Sequence, residues 1–210
     1  MGRCTGPTCR LCRREGIKLM LKGARCETAK CPMERQWRNF PPGQHNWRRG
    51  RASEYSLRLR EKQKVKRYYG VYEKQFAKYF REAERQKGNT GAALLSLLER
   101  RLDNVVHKLG FAPSRAAARI TISHGHVYVN GRRVGVASYL VSVGDKISIK
   151  TADRSQKLVR SRLEELGEPN VQNWLKLDLV KLAGEVLAVP TRDDVMIPVE
   201  EQLIVELCSQ

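Results

Sequence analysis

The chain has 210 residues and a formal net charge of +18, which fits one large domain or two modest ones and makes nucleic acid the expected partner. No apolar run approaches the roughly 20 residues that cross a bilayer, and no apolar signal segment follows Met1, so we expect a cytoplasmic protein without a membrane partner. The charge is uneven, because residues 165–210 carry a net charge of −6 and the first 164 a net charge of +24. We therefore expect the nucleic-acid surface in the first three quarters of the chain.

Five of the six cysteines lie in the first 31 residues, in a segment rich in Arg and Gly with little apolar periodicity. Such a segment cannot build a core of its own, so something else must order it. Cys9-x2-Cys12 and Cys26-x4-Cys31 are two thiolate pairs with spacings that fit one tetrahedral Zn²⁺. Four cysteine ligands leave no open coordination position, so this pattern predicts a structural rather than a catalytic metal.

Two other interpretations of these cysteines stay open. Cys4-x4-Cys9-x2-Cys12, with Cys26 or Cys31 as the fourth ligand, has the spacing of a plant-type ferredoxin iron–sulfur cluster. Reduced, unligated thiols are the third interpretation. Cys4 has no role in the zinc interpretation.

Residues 41–51 predict a loop, because Pro41 and Pro42 do not permit a helix at its start. His45 and Trp47 offer planar faces to RNA bases, although an ordinary exposed connector explains the segment equally well. From Ser53, a plausible N-cap, the pattern is helical with a break at Gly70 and an end at Gly88. The aromatic stripe of this region, from Tyr68 to Phe80, is more typical of core packing than of base stacking.

The next stretch, residues 94–150, predicts two helices followed by a β-hairpin and a further strand. Its first helix has apolar residues at helical spacing from Leu95 to Leu109, with Thr90 as a plausible N-cap. Ser114 caps the second helix, and Gly125 ends it. Asn130-Gly131 lies between two short apolar runs and supplies the positive φ angles of a type I′ turn.

A basic rim surrounds this apolar frame and suits folded nucleic acid; its residues are Arg100, Arg101, Arg115, Arg119, His124, His126, Arg132 and Arg133. Beyond it we expect a helix at 155–166, strands at 174–177 and 185–189, and a closing helix at 199–207.

Catalytic motifs are missing from the sequence: it has no Gly-rich phosphate loop, nucleophile elbow or HExxH. His124-Gly125-His126 lacks further metal ligands nearby, so contact with RNA is the better interpretation. Asp103 stands in an Arg-Leu-Asp triplet that resembles the short motif of pseudouridine synthases. We expect it instead to be an exposed acid in mid-helix that pairs with Lys or Arg.

Residues 99–134, ERRLDNVVHKLGFAPSRAAARITISHGHVYVNGRRV, closely resemble the S-four RNA-binding domain. The first 26 residues, the PPGQH segment and the helical region after it resemble the ribosomal protein S-four family of the bacterial small subunit. This resemblance covers essentially the full length. The four cysteines resemble the zinc-containing branch of the family, with Cys9, Cys12, Cys26 and Cys31 as ligands.

The resemblance implies an α+β fold in which both ends of the chain form a mainly helical domain with a zinc knuckle, around an inserted S-four RNA-binding domain. We expect a metal-binding basic arm at 1–45, a helical body at 46–91 completed by about 190–210, and the inserted domain with a strand-rich return at 92–189.

For function, the resemblance implies a non-enzymatic, primary binder of small-subunit rRNA that nucleates assembly of the subunit body at a multi-helix junction. It also implies contact with ribosomal protein S-five, a contribution to translational accuracy, and basic residues along the channel through which mRNA enters. The alternatives are an RNA-modifying enzyme and a zinc-dependent nucleic-acid-binding regulator that use the same module.

The residues that we expect to contact RNA are mostly basic and lie between the N-terminus and the hairpin: Arg3, Arg10, Arg13, Arg14, Gln44, His45, Arg48, Arg49, Arg51, Arg58, Lys62, Arg115, Arg119, His124, His126, Arg132 and Arg133.

Overall fold

The computed structural model describes Gly2 and residues 5–45, 51–167 and 169–209. Their contacts divide the chain into two compact units. The first combines the residues up to Leu94 with those from Met196 onward, and the second spans Leu95–Val195. No helix in the described part of the chain is long and apolar enough to cross a membrane.

The first unit is helical. It contains α1 (Cys9–Glu15), a 3-10 helix (Gly23–Cys26), α2 (Glu54–Tyr68), α3 (Glu73–Glu84), the start of α4 (Thr90–Glu99) and α8 (Glu201–Cys208). Ser53 caps α2 as predicted, because its Oγ accepts a hydrogen bond from the Ser56 N–H at 3.3 Å. The closing helix α8 packs against α2, and the Arg58 Nε donates to Glu206 Oε2 at 2.8 Å.

The aromatic stripe forms the core of this unit. Tyr68, Tyr69, Phe76, Tyr79 and Phe80 are all buried, which confirms the packing interpretation for these five, whereas Tyr72 of the same stripe is 51% exposed. The helical region breaks between α2 and α3, where Gly70 has a positive φ of 61°, also as predicted.

The second unit contains the end of α4, then α5 (Leu102–Lys108), α6 (Arg115–Ser123), β1 (Val127–Val129), β2 (Arg132–Arg133), β3 (Lys146–Ile149), α7 (Asp153–Leu166), β4 (Leu175–Asp178) and β5 (Ala183–Val186). The strands form one antiparallel sheet in the order β2-β1-β3-β5-β4. Apolar side chains of α5, α6 and α7 cover it, including Leu109, Ile122 and Val159. The predicted mixed fold of helices with a small antiparallel sheet is therefore confirmed.

The hairpin turn has the predicted chemistry. Asn130 and Gly131 have φ angles of 49° and 76°, and Val129 pairs with Arg132 across the turn. Asn130 also fixes the neighbouring strand, because its Oδ1 accepts from the Lys146 N–H at 2.9 Å. The small Asn-Gly turn thus sets the register of β1, β2 and β3 together.

Several helix boundaries differ from the sequence expectations, most clearly around α4. Asn89, not Thr90, caps α4, because the Asn89 Oδ1 accepts from the Gly91 N–H at 2.9 Å. The helix that precedes α4 ends at Glu84, before Gly88. The single helix expected from Leu95 to Leu109 is two helices, with Arg101 between them in an extended conformation at ψ 136°.

The break between α4 and α5 has a tertiary cause. Arg101 forms a β-bridge with Leu140, and the Leu102 N–H donates to the Tyr139 carbonyl at 2.8 Å. The Asp103 N–H donates to the Ala137 carbonyl at 3.1 Å. The first N–H groups of α5, which have no partner inside the helix, are therefore satisfied by a distant segment of chain.

Candidate RNA interface and metal centre

The four cysteines with metal-ligand spacing line one small cavity of about 10 Å³, room for a single small atom. Cys9 and Cys12 lie on α1, Cys26 ends the 3-10 helix, and Cys31 follows in the next turn. Cys12, Cys26 and Cys31 are buried, and the Lys22 N–H donates to the Cys26 Sγ at 3.3 Å. Two separate chain segments thus contribute cysteines to the lining of one cavity.

The donor set fits a thiophilic metal. Burial raises the pKa of the Cys12 thiol, and the negative charges of Cys26, Cys9 and Cys31 raise it further, because nearby thiolates repel one another. Within the described ranges, no group of three or more His, Cys, Asp or Glu side chains is placed so that it could hold a metal ion. Zinc binding therefore stays a prediction, and Cys4, on which the iron–sulfur alternative depends, lies outside the described residues.

The basic residues of the N-terminal arm fall into exposed and engaged groups. Arg10 and Arg14 are exposed on α1, whereas the Arg13 Nε donates to the Phe40 carbonyl at 2.7 Å. Gln44, His45 and Arg51 are also exposed. The predicted contacts Arg3, Arg48 and Arg49 lie outside the described residues.

Two predicted RNA contacts on α2 are held in ion pairs within the first unit. Arg58 pairs with Glu206 at 2.8 Å, and Lys62 pairs with Glu73. Both cations are largely shielded, with 26% and 18% of their side-chain surface exposed. Their contact with RNA stays a prediction, but internal carboxylates already compensate much of their charge.

Asp103 is the centre of a buried ion cluster in the second unit. Its carboxylate is 1% exposed and accepts hydrogen bonds from both Nε and Nη2 of Arg101, at 3.0 and 2.7 Å. The Arg119 Nε donates to the same carboxylate at 2.6 Å. Asp103 pairs with arginine as predicted, but the expectation that it is exposed and in mid-helix is wrong, because it is buried in the first turn of α5.

A second set of polar side chains continues this cluster. The Asn104 Nδ2 donates to Glu99 Oε2 at 2.5 Å, while Asn104 Oδ1 accepts from the Arg115 Nε at 2.8 Å. Lys108 pairs with Glu99 at 2.7 Å. All of these groups come from the ends of α4, α5 and α6, so the cluster joins the three helices.

The predicted basic rim is therefore wrong for Arg101 and Arg115, which are 1% and 7% exposed. Their guanidinium groups point into the unit because the buried acceptors of Asp103 and Asn104 need donors. Arg119 is also committed to Asp103. Sequence periodicity placed these arginines on the two helices predicted between Leu95 and Gly125 but did not reveal the buried acceptors opposite them.

The exposed basic side chains gather instead beside the hairpin. We call His124, His126, Arg132, Arg133 and Lys150 the hairpin rim. The His124 and His126 rings lie 6.2 Å apart, and a Cβ on Gly125 would come within 2.5 Å of the Arg133 guanidinium. The Lys150 N–H donates to the His126 carbonyl at 2.8 Å, which brings the end of β3 alongside.

The pKa of His126 reflects the basic groups that surround it in the rim. Burial lowers the pKa of His126, and the charges of His124, Lys150, Arg162 and Arg133 lower it further. Among the described residues, Arg132, Arg133 and Lys150 form no ion pair with a carboxylate. Lys150 and Arg162 were missed from the sequence, although the position of Lys150 directly after a predicted strand was a usable signal.

Comparison with known proteins identifies the family. Residues 3–99 match the Ribosomal protein S4/S9 N-terminal domain, and residues 100–147 match the S4 domain. The small ribosomal subunit protein uS4 of Thermoanaerobacter pseudethanolicus is 53% identical over 210 residues, the full length of both chains. The proteins of that name from Thermus thermophilus and Caldicellulosiruptor bescii are 52% and 53% identical, again over the full length of both.

The chain belongs to the uS4 family. This membership confirms the predicted S-four domain and the predicted ribosomal, structural and non-enzymatic role. The geometry of Asp103 agrees, because an aspartate whose carboxylate is buried against two arginines stabilises the fold and has no access to a substrate.

Replacing Asp103 with Ala should cost about 3–5 kcal/mol of unfolding free energy, because the buried Arg101 guanidinium would lose its counter-charge. Urea denaturation followed by circular dichroism measures this loss. The matched control is Asp193→Ala, the same change at an exposed position of the same unit, which should shift stability by less than about 0.5 kcal/mol. Equal stability of the two variants would contradict the role of the ion cluster.

His107 should make the stability of the second unit dependent on pH. Its pKa is lowered to about 4, first because burial disfavours the imidazolium and then because Arg115 and Lys108 are nearby. The unfolded chain takes up this proton near the ordinary His pKa of about 6.5, so stability is complete above that pH and falls as the pH drops toward 4. The expected loss through this group is roughly 3 kcal/mol.

His107→Asn isolates this effect. The His107 Nδ1 lies 3.0 Å from the Ala112 carbonyl, and an Asn amide can donate to the same oxygen without titrating. Urea denaturation at pH 7 and pH 4.5 should therefore show a smaller pH-dependent loss for His107→Asn than for the wild type. Identical losses would exclude His107 as a source of the pH dependence.

Proposed function

We propose that this chain is a structural, rRNA-binding protein of the small ribosomal subunit and that its hairpin rim is the part of the S-four domain that holds folded RNA. The observation that carries the proposal is the density of exposed positive charge at the rim, where basic groups crowd His126 from several chain segments. Such a cluster repels its own members and is stabilised by an anion, and the phosphates of RNA are the polyanion that family membership favours.

The mechanism follows from two properties of the rim. The Asn-Gly turn and the buried core beneath the sheet fix the backbone that carries its arginines before RNA arrives, so little backbone entropy is lost on binding. An arginine can form two parallel hydrogen bonds to one phosphate or stack on an unpaired base, which suits the irregular backbone of folded RNA. The chain therefore recognises the shape of the RNA, with the exposed arginines of α1 as a second contact.

Arg132→Ala combined with Arg133→Ala should weaken binding to a small-subunit rRNA transcript and lower the slope of log K against log salt by up to about 1.8, because each phosphate contact contributes about 0.9. Filter binding over a series of salt concentrations measures both quantities. The matched control is Lys176→Ala with Lys181→Ala, which removes the same charge from exposed positions on β4 and on the turn after it, at the opposite edge of the sheet. An unchanged slope for the Arg132/Arg133 variant, or an equal loss in the control, would place the RNA elsewhere.

We further propose that Cys9, Cys12, Cys26 and Cys31 hold one Zn²⁺. The four cysteines line a cavity with room for one small atom, and four thiolates are a donor set that zinc prefers. When bound, the metal supplies a cross-link and no reactive position. The cross-link would join α1 to the 3-10 helix and the turn after it, and so hold the exposed Arg10 and Arg14 in place.

Cys9→Ser with Cys12→Ser should release the metal and make residues 5–45 sensitive to protease. The second unit should stay folded, so most of the circular dichroism signal of the protein should persist. Elemental analysis measures zinc and iron, and visible absorption distinguishes an iron–sulfur cluster from colourless zinc. Cys208→Ser, which removes a thiol from the end of α8, is the control and should retain one metal per chain. Unchanged metal content in the double variant would overturn the ligand assignment.

The finer family functions are proposals from the resemblance alone. These are a multi-helix rRNA junction as the binding site, nucleation of the subunit body, contact with ribosomal protein S-five, a contribution to accuracy, and a position beside the channel through which mRNA enters.

A further inference from the structure

An exposed tryptophan stands in the N-terminal arm, between two arginines. Trp37 has 65% of its surface exposed, the largest fraction among the exposed aromatic side chains described. The Arg38 guanidinium carbon lies 4.5 Å from the centre of the indole ring, and that of Arg35 lies 5.8 Å away. Burial of a large aromatic ring is favourable, so an exposed indole beside two cations offers a flat apolar surface to a partner.

The backbone around Trp37 is held in place. The Arg38 N–H donates to the Arg35 carbonyl at 2.9 Å, which closes a turn around the tryptophan. The Arg35 Nε donates to the Ala29 carbonyl at 3.1 Å, and the Arg13 Nε donates to the Phe40 carbonyl at 2.7 Å. The indole is therefore carried by a turn that is anchored at both ends to the arm.

The charge around the turn selects the kind of partner. Residues 5–45 contain nine basic and three acidic side chains. Two of the three acids are already paired, Glu15 with Arg60 and Arg67, and Glu34 with Lys18. A flat aromatic face within a positive surface is the arrangement by which proteins stack an unpaired base while cations hold the neighbouring phosphates.

We propose that Trp37, with Arg35 and Arg38 over its ring, is a stacking platform for one unpaired base of the RNA. The proposal rests on the rRNA-binding function above and adds a second kind of contact to it. The hairpin rim neutralises phosphates, whereas the indole contributes an uncharged contact that only a base outside a duplex can make.

The test compares Trp37→Leu with Trp37→Tyr in binding to a small-subunit rRNA transcript, with no other protein present. Leu keeps an apolar side chain without an aromatic face, and Tyr keeps a face on which a base can stack. Trp37→Leu should bind about 5- to 100-fold more weakly, the range of one base–aromatic stack. The slope of log K against log salt should not change, because the indole carries no charge. Trp37→Tyr should retain most of the affinity.

Circular dichroism of both variants, together with the metal content of each, confirms that the arm is folded. Binding of Trp37→Leu within twofold of the wild type would overturn the platform, and this result would favour a protein partner for the exposed indole. Equal losses in Trp37→Leu and Trp37→Tyr would also overturn it. Failure of the rRNA-binding function would give a different result. The wild type would then bind the rRNA transcript no more tightly than it binds an RNA duplex of unrelated sequence.

Discussion

The carboxylate of Asp103 is the group on which the second unit depends. It sits almost out of contact with solvent and neutralises arginines from two places, the break between α4 and α5 and the middle of α6. Removing ions from water costs several kcal/mol for each charge, so this arrangement is stable only when all partners are present together. The same cluster holds Arg101 in the extended conformation that pairs with Leu140. One set of ionic contacts thereby links α5 to α6, and through Arg101 to the segment of chain after the hairpin.

Basic residues in this protein have two different uses, which composition does not separate. One group is engaged within its own unit, buried or partly buried, and holds elements together: Arg101, Arg115 and Arg119 in the second unit, and Arg58, Arg60 and Arg67 in the first. The other group is exposed beside the hairpin and on α1, and it is available to RNA. In the function proposed above, the first group supports the second, because a rim whose backbone is fixed in advance would lose little entropy on binding.

The N-terminal arm also has to hold its exposed basic residues in place, and it does so without a large core. Few of its apolar side chains are buried apart from Leu19 and the cysteines. The buried Glu15, whose pKa is raised by its burial against the lowering effect of Arg67 and Arg60, ties α1 to α2. The cysteine cavity is a separate feature of the arm. A metal cross-link there would stabilise the short segments that carry Arg10, Arg14 and Trp37.

The sequence alone indicated the family, through its resemblance to known members. It also determined most of the helical pattern, the Asn-Gly hairpin, the aromatic core and the cysteine pairs, because these depend on local spacing or on turn chemistry. Only the tertiary structure decided that the helix from Leu95 to Leu109 is broken at Arg101, since the hydrogen-bond acceptors at Ala137 and Tyr139 are remote in sequence. It also decided which arginines are internal. A guanidinium becomes structural when a buried carboxylate or amide lies opposite it, and no periodicity in the chain shows that Asp103 and Asn104 are those partners.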